Sequence, residues 1–162
     1  MTQAALTLAR GSQDDGAIGA ALSARAEYLR GPASAEDRVA VLDELSNLKN
    51  PNTNILDQLV DKTRLISALL EIGDLVRLDA ENELSRELAS STGLPHFMWY
   101  PESTDSMRAL MKGDNKTNLK LAERHSQVQR LTNDANVTQG FGGQEIFRHV
   151  ELDHGEEMLP MV

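Results

Sequence analysis

Apolar residues recur at steps of three and four through most of residues 1–132, and strict alternation is absent. That pattern predicts helices and no strands. The densest run is Thr53–Ser91, with apolar positions at Ile55, Leu56, Leu59, Val60, Leu65, Ile66, Leu69, Leu70, Ile72, Leu75, Val76 and Leu78. The steps place them on one broad helical face, with Asp57, Asp61, Lys62 and Arg64 mostly opposite. So wide a face predicts burial against two or more neighbouring helices. Pro51 lies just upstream, and Asn52 or Thr53 is placed to cap the helix N-terminus. Gly73, followed by Asp74, reads as a stop and a fresh cap in preference to one long helix.

The flanking segments follow the same logic. A short Ala/Leu helix is expected over Thr2–Arg10, ending at Gly11, with Ser12 as a cap for a second helix over about Asp14–Arg30. Gly31-Pro32 stops that helix. Ser34 then opens an N-cap signature with Glu36 and Asp37 in the first turn, predicting a helix over Ala35–Leu48 that buries Val39, Leu42 and Leu45. Beyond the central run, the proline-bounded segment Thr92–Thr104 carries Phe97, Met98, Trp99 and Tyr100 and reads as a constrained loop. Ser103 or Thr104 would cap a short helix over Asp105–Met111. Gly113 closes it, and Asp114 caps a longer helix over about Asn115–Thr132.

From Asn133 the periodicity is lost in a polar, Gly-rich, acidic segment with isolated apolar points, among them Phe141, Ile146, Phe147 and Val150. The resulting expectation is an all-α protein. An irregular bundle of about five to seven helices fills residues 1–132, and an extended, mostly non-helical arm occupies 133–162.

Charge and composition narrow the chemistry. The net charge of −9 disfavours a general nucleic-acid coat while leaving a local basic patch open. Without cysteine, disulfides, thiolate metal sites and Cys nucleophiles are excluded. No apolar run approaches a membrane span, and no leader-like pattern opens the chain; both are consistent with cytoplasm or a virion. His149 and His154 lie among carboxylates, but their spacing matches no metal signature, and no metal or cofactor is expected. The GFGG run at Gly140–Gly143 lacks the Lys-Ser/Thr of a phosphate loop. His125 shares a helical face with Leu121 and Val128. Its sequence neighbours Glu123 and Ser126 do not project along that line, so no base–acid pair is expected there.

Two features point to contacts. Lys116, Lys120 and Arg124 step by four into a basic ridge, with Arg130 further along. Lacking an aromatic for base stacking, the ridge suits an acidic protein surface such as the helix holding Glu81, Glu83 and Glu87, in this chain or a second copy. Trp and Tyr on a constrained segment make good interface anchors, so Phe97–Tyr100, with Phe141, Ile146 and Phe147 of the arm, are the expected protein contacts. The expected function is a non-enzymatic structural or adaptor subunit of a larger assembly, of the kind found in virions or secretion apparatus. Its partners would be other protein subunits, of the same or a different chain. The alternative is a helical nucleic-acid-handling or regulatory protein of genome-packaging type that uses the ridge.

Overall fold

A computed structural model describes residues 2–49, 54–132 and 135–151. Among them are eight α-helices and two short 3-10 turns, with no strand. The fold class is therefore all-α, with one helix more than the upper end of the expected range. No helix among the described residues is long and apolar enough to cross a membrane.

The chain divides into two compact units, Met1–Thr92 and Gly93–Val162. The first holds α1 (Thr2–Ser12), α2 (Asp15–Tyr28), a 3-10 turn at Pro32–Ser34, α3 (Ala35–Ser46), α4 (Ile55–Ile72) and α5 (Leu75–Ser91). Each of these helices packs on the next in sequence. Leu22, Leu42, Leu59, Leu65, Leu69 and Leu78 are fully buried between them, and burying each contributes roughly 1.5–3 kcal/mol. Helices two apart are joined by long side chains. Arg10 of α1 reaches Glu44 of α3, Arg64 of α4 reaches Glu27 of α2, and Arg77 of α5 reaches Asp43 of α3. The Asp43 hydrogen bond, with the charges of Asp43, Glu81 and Asp74, holds the Arg77 guanidinium above its ordinary pKa against a smaller effect of burial.

Gly73 ends α4 with φ +77°, the left-handed region that L side chains avoid. The Asp74 N–H donates to the Leu69 carbonyl at 2.9 Å and the Gly73 N–H to that of Leu70 at 3.1 Å, the Schellman pattern. The Asp74 carboxylate then accepts the Arg77 N–H at 3.1 Å and starts α5. A helical hairpin thus replaces one long helix, as the Gly-Asp pair predicts. The other end of α4 differs from expectation in detail: Asn54 caps it, accepting the Asp57 N–H at 2.9 Å, while Asn52 and Thr53 lie outside the described residues.

Two further caps are corrected. Asp14, and not Ser12, caps α2 by accepting the Gly16 N–H at 3.0 Å. Ser34 precedes α3 but makes no side-chain cap bond, because it ends the 3-10 turn. The unanticipated feature is Arg38, only 4% exposed. Its guanidinium donates to the carbonyls of Leu29 and Gly31 at 3.1 and 3.4 Å and pairs with Glu71. It thereby satisfies the Leu29 carbonyl, which the end of α2 leaves without a helical partner.

The second unit holds a 3-10 turn at Pro95–Met98, then α6 (Trp99–Met111), α7 (Asn115–Thr132) and α8 (Ala135–Glu151). Each of the three helices packs on the other two. The α6–α7 junction repeats the Gly-Asp device. Gly113 has φ +71°, the Asp114 N–H donates to the Ala109 carbonyl at 2.9 Å, and the Asp114 carboxylate accepts the Thr117 N–H at 3.0 Å. Bonding from Thr117, with a smaller effect of Lys116, holds the Asp114 carboxyl below its ordinary range.

Two expectations differ here. α6 begins at Trp99 and not near Asp105. Pro101 is its third residue, where a helix N–H has no intrahelical acceptor, so the missing donor costs nothing. Part of the segment read as an extended arm is the helix α8; residues 152–162 lie outside the described residues. α8 shares a compact unit with α6 and α7.

Candidate interaction surfaces

The aromatic segment is split between the 3-10 turn and the first turn of α6, and Phe97, Met98, Trp99 and Tyr100 are each half-buried. The His96 and Phe97 rings lie 4.3 Å apart and those of Trp99 and Tyr100 5.2 Å apart. Trp99 also meets the His125 ring edge-on at 6.4 Å. Its indole N–H is buried without a hydrogen-bond acceptor among the described residues. Trp99 thus helps close the second unit, while its neighbours keep part of their surface outward.

Below it lies a polar interior that sequence reasoning missed. Glu102 of α6 is 4% exposed and His125 of α7 is 1% exposed. The His125 Nε2 lies 3.4 Å from one Glu102 oxygen, and the Arg124 guanidinium is 2.9 Å from the other. Asn118, also buried, donates to the Ser106 hydroxyl at 2.8 Å. The acid partner for His125 therefore comes from the preceding helix and not from its own sequence neighbours. The cluster lies in the interior of the helix packing, so its evident role is to hold α6 against α7.

Arg124 is held by Glu102, and the side chain of Arg130 lies outside the described residues. Lys116, Lys120 and Arg124 are all exposed, and the two lysines share a shallow groove with Asp114 and Glu123. That mixture of signs weakens the field a phosphate would meet.

Over residues 142–150, the described part of α8, polar side chains are among those turned inward. Gln144, Glu145, Arg148 and His149 are among its half-buried residues, and the Gln144 amide donates to the Ser103 carbonyl at 2.8 Å. Glu145 pairs with Arg148 within the helix. The Gln144 Oε1 and Arg148 Nε atoms are buried with no partner among the described residues. Ile146, Phe147 and Val150 instead point outward, 47%, 69% and 62% exposed. A surface helix normally turns its apolar stripe inward, so this stripe is unfinished as it stands. The side chain of Phe141, expected to act with it, lies outside the described residues. Val150 completes the stripe and was legible as an isolated apolar point four residues after Ile146. The helix was not, because Gly140, Gly142 and Gly143 lower helix propensity by ~1 kcal/mol each.

In the first unit, a cleft of about 420 Å³ lies between α3, α4 and α5, floored by Leu42, Leu45 and Leu88. Two rim charges are already engaged, Asp61 by Arg64 and Ser23 and Lys62 by Glu81. Among the described residues no three His, Asp or Glu side chains gather as a metal ion would need. No family model matches the chain, and neither a curated protein nor a solved structure matches it.

Proposed function

We propose that this chain is a non-enzymatic structural or adaptor subunit of a larger protein assembly. Ile146, Phe147 and Val150 of α8 form its main contact, and the half-buried Phe97–Tyr100 segment adds to it. The observation that supports this reading is the exposure of Ile146, Phe147 and Val150 along residues 142–150 of α8, three large apolar side chains left in water while Gln144, Glu145, Arg148 and His149 are half-buried. Covering that stripe with another subunit recovers roughly 25 cal/mol per Å² of apolar area removed from water. The nucleic-acid reading has less support: Arg124 is exposed but paired with Glu102, and Lys116 and Lys120 are interspersed with carboxylates.

The test is site-specific photocrosslinking in the cells that make the protein, with a benzophenone side chain at position 147. The expected result is one dominant crosslinked protein, absent when the same group replaces exposed Ala20 on α2. Equal, diffuse labelling at both positions would refute the proposal.

A further inference from the structure

α5 is the last helix of the first unit, and among that unit's helices it packs mainly on α4. Its buried positions, Leu78, Asn82, Ser85 and Ala89, follow one stripe. The opposite stripe is exposed and ordered. Val76, Ala80 and Leu84 form one line, with Val76 86% and Leu84 48% exposed. Asp79, Glu83 and Glu87 form a parallel acidic line beside it. At about 100° per residue, the apolar line lies roughly 60° further around the helix than the acidic one.

The outer face of α7 carries the complementary arrangement. Lys116 and Lys120 are exposed and step by four, as do Glu83 and Glu87. Leu119, 42% exposed, lies beside them on the opposite hand from the apolar line of α5. When two helices meet face to face and run parallel, left and right exchange. The lysine line then falls on the carboxylate line, and Leu119 falls on the line that ends in Leu84. Running antiparallel, the charges meet but Leu119 lands on the wrong side.

We propose that the outer face of α5 seats α7 of a second copy of this chain, with the two helices parallel, Lys116 against Glu83 and Lys120 against Glu87. Equal four-residue steps keep both pairs in register, about 6 Å apart along each axis. Arg86 touches Glu83 from within α5 at 3.4 Å and is the group the incoming lysine must displace. Two exposed acids share the groove with these lysines: Glu123 then lies level with Ser90, and Asp114, which precedes α7, lies level with Glu81. The contact is heterologous, because the surface offered by one copy differs from the surface it meets. It uses neither α8 nor the aromatic segment, so it stands or falls independently of the crosslink at position 147.

The test is molar mass by light scattering on the full chain, across concentration at low salt. Wild type is expected to rise above monomer mass and to fall back as salt is added. E83K/E87K and K116E/K120E should each weaken association roughly tenfold or more. An equimolar mixture of these two variants should regain it, because the unchanged α5 of the second then meets the unchanged α7 of the first, and the new lysines on α5 of the first face the new carboxylates on α7 of the second. A wild type that stays monomeric throughout overturns the proposal. So does a mixture that associates no better than its components.

Discussion

The Glu102–Arg124 pair makes an asymmetric prediction. Glu102 is almost fully buried, with its side chain 5% exposed, whereas Arg124 is 58% exposed. Removing the arginine strands a buried carboxylate with the His125 ring, 3.4 Å away, as its remaining close neighbour, whereas removing the acid releases a guanidinium that water already reaches. Breaking a buried ion pair by deleting one partner costs about 3–5 kcal/mol. Solvent screening on the Arg124 side lowers this, so Arg124→Ala should cost about 2–3 kcal/mol. Glu102→Gln keeps the volume and trades a charge-assisted bond for a neutral one, about 1–1.5 kcal/mol. The double variant should be more stable than Arg124→Ala alone by about 1 kcal/mol, because no charge is then stranded. Trp99 is the single tryptophan of the chain and lies against His125, so its fluorescence reports the second unit in urea. With a slope near 1 kcal/mol per M, Arg124→Ala should move the midpoint by about 2 M. A shift under about 0.5 M, or a double variant no more stable than Arg124→Ala, would refute the reasoning.

Arg38→Ala should destabilise the first unit by about 2 kcal/mol, since it removes the Arg38 bond to the buried Leu29 carbonyl, while the Gly31 carbonyl keeps the Ser34 N–H; loss of helical circular dichroism in urea measures it. Gly73→Ala forces a side chain into φ +77° and should cost about 1–2 kcal/mol, and Asp74→Ala should cost about 1 kcal/mol through the lost cap. A silent outcome for both in thermal melts would mean that the α4–α5 hairpin is held by packing alone. Because the folded Asp114 carboxyl titrates below its unfolded value, its contribution is present above the unfolded pKa, ~3.9. It is lost as pH falls through the folded value. Asp114→Asn, which still caps, should flatten that acid limb of the Trp99-monitored stability, and an unchanged slope would contradict the assignment.

What the sequence determined by itself is local. Helix ends at Gly73-Asp74 and Gly113-Asp114 were legible because capping joins residues within five positions of one another. The burial of Leu42, Leu59 and Leu69 was legible because a period of 3.6 marks a face. Pro101 misled the reading of α6, since proline breaks a helix interior but is tolerated in its first turn. The tertiary structure alone decided which distant groups meet. Glu102 reaches His125 and Arg124 across two helices, and Arg38 plugs the end of α2. In α8, with little helix propensity in its glycines, Gln144, Glu145, Arg148 and His149 are half-buried while Ile146, Phe147 and Val150 face out. Periodicity tells which residues share a face, but only the packing of neighbouring helices decides whether that face is the one buried.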